Sequence, residues 1–289
     1  MSTINVDNIN PETGERVNLN GLKIKGSTDA SSFGSVNIGP YDSGVDVFGA
    51  VIIGANAENV TQTVNASGMA IGSECLSNAL DLASNIAIGT GCMKFTTNST
   101  PITKASNNIA IGIGAGRNLE STGAPTASNN TIIGRFAGTE MTTGYNNIVI
   151  GNDAEANTPT SVNSITLGNN QISSLRCNVN TITSLSDARD KKEVKKLSVG
   201  IDFIKGLKPV EFIWDERGEK GKKGIKDFGF IAQDLKKSQE ETDIADTLSL
   251  VLESNPDRLE ASYGRLLPIM VKAMQEMSNK IELLESKLK

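Results

Sequence analysis

The chain has 289 residues with 28 Lys+Arg against 33 Asp+Glu, no histidine and only 4% aromatic residues. A formal net charge of −5 offers no basic excess to neutralise phosphates, which argues against nucleic-acid binding. Without histidine, Ser-His-Asp and Cys-His mechanisms and His-ligated metal sites are excluded.

Charge divides the chain in two. Residues 1–185 hold 8 Lys+Arg and 13 Asp+Glu, whereas residues 186–289 hold 20 of each, so a weakly charged Asn/Ser/Thr/Gly-rich part precedes a densely charged one. The length suits about two domains. No stretch approaches the roughly 20 apolar residues that span a bilayer, and Met1–Asp7 has neither a basic nor an apolar leader region. The expectation is a chain made and kept in a cytosol-like compartment, with no membrane insertion. Cys75, Cys92 and Cys177 are odd in number and widely spaced. They fit neither a disulfide framework nor a zinc site, and read as small apolar residues; no metal and no cofactor is expected.

Residues 1–45 form a lead-in outside the repeats, with Asn-Pro-Glu-Thr-Gly and Asn-Leu-Asn-Gly turns. From residue 46 to 172 an apolar pair followed by glycine recurs: Ile52-Ile53-Gly54, Ala70-Ile71-Gly72, Ala87-Ile88-Gly89, Ala110-Ile111-Gly112, Ile132-Ile133-Gly134, Val149-Ile150-Gly151 and Thr166-Leu167-Gly168. The glycines are 18, 17, 23, 22, 17 and 17 residues apart, and Asn85, Asn108, Asn130 and Asn147 each precede theirs by four. A fixed phase of this kind is a repeat.

Each unit predicts a short strand closed by a turn, because apolar and small polar residues alternate and glycine permits backbone conformations that other residues resist. One such strand has no core of its own. Stacked units align their Ile residues into an interior stripe and their Asn residues into a ladder at the corner. The longer spacings accommodate insertions around Thr96–Ala105 and Glu120–Ala127. With so few aromatics the core is thin, so several chains are expected to share it.

Residues 173–185 connect to a segment of different character, 186–289, with a mixed α/β pattern. It opens with Ser186-Asp187-Ala188-Arg189-Asp190-Lys191-Lys192, which sets a possible serine nucleophile five residues before a possible lysine base. A serine hydroxyl is a poor nucleophile until a neighbour takes its proton. A lysine does so only when neutral, a form favoured by partial burial and by a nearby cation such as Arg189. Ser198 is placed to cap a short helix through Ile201, Phe203 and Ile204 ending near Gly206. Val210, Phe212 and Trp214 then alternate as a half-buried strand, Arg217–Gly224 forms a turn, and a second strand and turn fall at Phe228–Gln233. Last comes a helix near Pro268, with Leu267, Met270, Met274, Met277, Ile281, Leu284 and Leu288 at spacings of 3, 4, 3, 4, 3 and 4. This narrow seam predicts a coiled coil over 266–289, the alternative being a helix packed within its own monomer.

The phrase Asn-x-Ala-Ile-Gly resembles the head repeats of trimeric bacterial adhesins and of phage tail fibres. The later motifs form an ordered set: Ser-Asp-x-Arg-x-Lys, Leu-Lys-Pro-Val-Glu-Phe-x-Trp at 207–214, Gly-Phe-Ile-Ala-Gln at 229–233, Tyr-Gly-Arg-Leu-Leu-Pro at 263–268 and the terminal coiled coil. Together they resemble the endosialidase-type intramolecular chaperone of viral tail spikes and fibres.

The resemblance implies a mainly β, trimeric repeat fibre of stacked β-roll or β-solenoid type, followed by an α/β domain that trimerises the chain, folds the fibre in register and cuts itself off at Leu185-Ser186. Ser186 would be the nucleophile and Lys191 its base, a single-turnover serine peptidase, with Asp187, Arg189, Gly229, Phe230 and Gln233 as supporting motif. It also implies a homotrimer, attachment to the virion tail or a neighbouring fibre subunit through the N-terminus, and an unnamed host-surface receptor. Assembly would take place in the host cytoplasm, where the released fragment stays. One departure stands out: some relatives carry a histidine shortly before Gly-Phe-Ile-Ala-Gln, where this chain has Lys226-Asp227-Phe228. Two other readings compete. A cellular trimeric adhesin fits the repeats but not the absent secretion signal and membrane anchor. A glycan-degrading fibre needs two facing carboxylates, and residues 1–185 offer no evident pair.

Overall fold

The computed structural model describes residues 36–38, 50–54, 68–77, 84–94, 105–119, 127–179, 181–217 and 221–288. Most of the lead-in 1–45 and the insertions at 96–104 and 120–126 lie outside them.

One parallel sheet runs in sequence order: β1 (Val36–Ile38), β2 (Ala50–Ile53), β3 (Gly68–Ile71), β4 (Ile86–Ile88), β5 (Ile109–Ile111), β6 (Thr131–Ile133), β7 (Ile148–Ile150) and β8 (Ile165–Leu167), so the sheet starts inside the segment read as a lead-in, before the repeats of 46–172. Each repeat pairs in register with the next, so Ala87 lies beside Ala110, Ala110 beside Ile132, and Ile132 beside Val149. At Gly54, Gly72, Gly89, Gly112, Gly134 and Gly151 the chain turns with φ between +131° and +138°. A Cβ at any of these positions would run into the backbone of the next glycine, so the phase of the repeat is set by close backbone approach as well as by conformation.

The interior differs from the expected isoleucine stripe. Ala70, Ala87, Ala110, Ile132 and Val149, the third residue of β3 and the middle residue of each strand from β4 to β7, are fully buried, whereas Thr166 in the middle of β8 is only partly so. The flanking residues alternate to the other face, as a strand's two-residue period requires. Ile109, Ile148 and Ile150 are more than a third exposed, and Ile165 and Leu167 more than half. In β3, β4 and β5 alanine takes the inner position, and in β6 and β7 Ile132 and Val149 take it. A second buried column runs through Cys75, Cys92, Ala115, Ala137 and Ala154. The thiols of Cys75 and Cys92 donate to the carbonyls of Ala87 and Ala110, each at 3.1 Å, and fill places that alanine fills elsewhere. The hydrogen bond with Cys75, reinforced by burial, holds the Cys92 thiol well above the ordinary range. Cys177 is exposed.

The asparagines form the expected ladder, buried just before β4, β5, β6 and β7. The Oδ1 of Asn85 accepts from the backbone N and Nδ2 of Asn108 at 2.8 and 3.1 Å, and Asn108 Oδ1 does the same for Asn130 at 3.0 Å each. Asn130 serves Asn147 likewise at 3.0 Å each, and Asn147 passes the pattern to Ser164. Each Nδ2 also donates to a backbone carbonyl: Ala105, Ala127, Gly144 and Ser161 in turn. The ladder is fully satisfied, as burial demands.

Residues 197–288 build a second core from Val199, Leu248, Leu250, Leu266 and Ile269. Helix α1 (Ile201–Gly206) follows Gly200. Ser198 does not cap it: its hydroxyl donates to Asp243 at 2.9 Å, while the N–H of Ile201 donates to Glu276, 75 residues away, at 2.7 Å. That bond, with the neighbouring Lys272, holds the Glu276 carboxyl below the usual range. A Cβ on Gly200 would occupy the carboxylate's place.

Strand β9 (Val210–Asp215) pairs antiparallel with β10 (Lys223–Gly229) and half-buries Val210, Phe212 and Trp214 as expected. The second strand therefore runs earlier than predicted, and Ala232–Glu240 is helix α2, so Gln233 lies in a first helical turn. Then come α3 (Ala245–Leu248), the paired β11 (Val251–Leu252) and β12 (Glu260–Ala261), and α4 (Leu266–Lys287). Within the chain α4 packs through Leu266, Ile269 and Ala273. The predicted seam is a different face. Leu267, Met270, Met274, Met277, Ile281, Leu284 and Leu288 are all 46% or more exposed. Among the described residues no helix is long and apolar enough to cross a membrane, and no cluster of His, Cys, Asp and Glu suited to a metal ion is present.

Candidate functional site

The sequence from Leu185 to Lys191 builds its own geometry. Asp187 is extended and accepts from the N–H of Arg189 at 2.9 Å, which starts a single 3-10 turn over Ala188–Asp190. Short polar side chains favour this role because they supply an acceptor to otherwise unpaired N–H groups. The turn closes with Lys191 N donating to the Ala188 carbonyl at 3.2 Å. It folds Lys191 back over the start of the motif. Lys191 Nζ lies 2.6 Å from Ser186 Oγ and 3.2 Å from the Ser186 carbonyl oxygen. The two residues singled out as nucleophile and base are thus in direct hydrogen-bond contact, the first geometric requirement of such a pair.

Their surroundings differ from the expectation. Burial and a free Arg189 cation were to favour neutral lysine, but residues 181–196 are exposed and Arg189 is tied to Asp187 through Nη2 to Oδ2 at 2.6 Å. The reason is local: Arg189 lies two residues from a carboxylate already turned toward its backbone. The Arg189 side chain, and after it the Arg189 N–H, hold the Asp187 carboxyl below the usual carboxylate range. The same contact raises the Arg189 guanidinium. Leu185, on the other side of the candidate scissile bond, is fully exposed.

The supporting motif falls into two places. Asp187 and Arg189 belong to the turn. Gly229 and Phe230 meet Tyr263: Phe230 N donates to the tyrosine hydroxyl at 3.2 Å, the rings sit edge to face at 5.6 Å, and a Cβ on Gly229 would overlap that hydroxyl. Gln233 is exposed on α2. No hydrogen bond or ion pair joins residues 229–233 to the 186–191 turn among the described residues. Gly229, Phe230 and Tyr263 thus pack on one another within the domain. Arg265 extends this by donating to the carbonyls of Leu248 and Thr247 at 2.6 and 2.8 Å, capping α3.

Sequence reasoning missed three long-range contacts. Glu276 caps α1, and Trp214 Nε1 donates to Asp227 at 3.0 Å across the hairpin. Asn157, in the turn before the last repeat strand, bonds Ser254 and Asn255 at 2.7 and 2.9 Å, joining the repeats to the second core. None of these has a local signal.

The model of a peptidase family described as chaperone of endosialidase matches residues 186–244. The match begins at Ser186 itself and covers the turn, α1, the hairpin and α2. It supports a C-terminal chaperone domain of a self-cleaving serine peptidase type, with a role in trimerisation and folding. Leu248, Leu250, Leu266 and Ile269 lie outside the match but complete the same core. No curated protein and no solved structure matches the chain.

Proposed function

We propose that the chain is a trimeric viral tail-fibre protein whose domain 186–289 aligns and folds the repeats of 46–172 and then cleaves Leu185-Ser186. The single observation that carries this reading is the 2.6 Å contact between Lys191 Nζ and Ser186 Oγ at the first residue of the family match. Neutral Lys191 takes the hydroxyl proton as Ser186 Oγ bonds to the Leu185 carbonyl carbon. That proton passes to the Ser186 nitrogen as the C–N bond breaks, leaving an ester. Water hydrolyses the ester, so the fibre ends in the Leu185 carboxylate and the fragment begins with free Ser186. One turnover suffices and no substrate pocket is needed.

Support for the trimer comes from what a single chain leaves uncovered. The register places Ile109, Thr131, Ile148 and Ile165 in one outer row and Ile111, Ile133, Ile150 and Leu167 in another. In a stacked solenoid such rows form a largely apolar face. Ile172, Leu175, Val179, Ile182 and Leu185 in the connector and the seam residues of α4 are exposed as well. Apolar surface on this scale marks association. Three chains meeting along it would also bring a neighbour toward the exposed dyad, supplying the burial that a lysine base requires.

A folding aid is needed because parallel repeats of similar sequence pair equally well one unit out of register. Joining the C-termini raises local concentration and sets the start. Cutting afterwards makes assembly irreversible. Mass spectrometry of the expressed chain tests the reading. The expected products end at Leu185 and start at Ser186, with Ser186→Ala and Lys191→Ala left whole. Folded, trimeric wild-type protein that stays at full length refutes the peptidase assignment.

A further inference from the structure

The turn that carries the dyad contains a competitor for its lysine. Asp187 and Lys191 are four residues apart, the spacing at which an acid and a base pair on a helical turn. A lysine held by that carboxylate would stay charged and point away from Ser186. In the structure the carboxylate is already taken: Arg189 Nε lies 3.0 and 3.2 Å from Asp187 Oδ1 and Oδ2, and Nη2 lies 2.6 Å from Oδ2. The guanidinium engages both oxygens, a fork that an ammonium cannot reproduce. Lys191 makes no ion pair among the described residues, and its Nζ rests on Ser186. Asp190, Lys192 and Glu193 are the other charges in this stretch. No hydrogen bond or ion pair from another element reaches residues 186–191 among the described residues.

We infer that Arg189 is a positioning residue for the cleavage reaction: by occupying both oxygens of Asp187 it keeps that carboxylate from capturing Lys191 and leaves the amine on Ser186. Asp187 is retained because its Oδ1 also caps the turn that brings Lys191 round. Carboxylate and arginine thus work as a closed unit, one forming the turn and the other cancelling the carboxylate's hold on the base. This rests on the reading of Ser186 and Lys191 as the cleaving pair.

The test is the pH dependence of self-cleavage in the full chain, followed by mass spectrometry, for wild type, Arg189→Ala, Arg189→Lys, Asp187→Asn and the Asp187→Asn/Arg189→Ala pair, each checked for trimer by light scattering. Arg189→Ala should displace the rising limb to alkaline pH by roughly one unit, which is about tenfold in rate at a fixed pH on that limb. Arg189→Lys should fall between it and wild type. The paired variant should return close to wild type, because asparagine keeps the capping oxygen without the charge. A wild-type profile for Arg189→Ala, or a paired variant as slow as Arg189→Ala, overturns the inference while leaving the dyad in place. Cleavage that persists in Ser186→Ala would instead remove the dyad itself, and this inference with it.

Discussion

Asn130 is the place where the repeat architecture is most exposed to a single change. Its Nδ2 donates to Asn108 Oδ1 at 3.0 Å and to the Gly144 carbonyl at 2.9 Å, and its Oδ1 accepts from Asn147 N and Nδ2, each at 3.0 Å. Asn130→Ala removes all four bonds at a site that is 1% exposed. Asn108 Oδ1 keeps the Asn130 N–H and Asn147 Nδ2 keeps the Ser161 carbonyl, so two groups lose these partners: the Gly144 carbonyl and the Asn147 N–H. At about 1–3 kcal/mol for each buried unpaired group, the cost is about 2–6 kcal/mol per chain, a large part of a typical folding free energy. Asn130→Asp is nearly isosteric but sets a carboxylate oxygen against two acceptors. Burial and those acceptors raise the folded-state pKa above the unfolded value of about 3.9. The folded state then binds more protons, so stability is greatest below that value, falls as pH rises through the folded pKa, and levels off beyond it. A rise of about 2–3 units corresponds to about 3–4 kcal/mol lost by pH 7. Guanidinium unfolding at pH 4 and pH 7, on the uncut Ser186→Ala chain, measures both effects. Exposed Asn152→Ala serves as the control and should change little. An Asn130→Ala cost no larger than the control, or no pH dependence in Asn130→Asp, would refute the account of the ladder.

Replacing Ile281 and Leu284 with Asp puts charge in the exposed seam of α4 and should prevent trimer formation by light scattering, with aggregated repeats as a result, while Asp at Glu282 and Lys287 should be tolerated. Ser186→Ala should still yield soluble trimer because it keeps every folding contact, whereas deletion of residues 186–289 should yield mostly insoluble material at equal expression. Soluble, thermally resistant trimer from the truncated chain would remove the chaperone role even if cleavage is confirmed.

The repeat was legible in the amino-acid sequence because its signals are local. An alternating strand, a glycine that turns with positive φ and an asparagine four residues earlier recur in phase, and each unit needs only its neighbour to complete its hydrogen bonds. The Ser186–Lys191 contact was legible for the same reason, since one 3-10 turn capped by Asp187 spans it. Which strand face turns inward was not. A two-residue period fits either face, and only close stacking decides that Ala87 and Ala110 lie inside while Ile109 and Ile148 lie outside. The cap on α1 was misread because Ser198 is the better local candidate, yet Glu276 arrives from α4 once the second core has formed. Arg189, read along the chain as a free cation, is held by Asp187 two residues away, so that misreading is of a local contact and not of a tertiary one. Contacts made within one turn are set by adjacent residues, whereas those between distant segments depend on which surfaces the completed cores bring together.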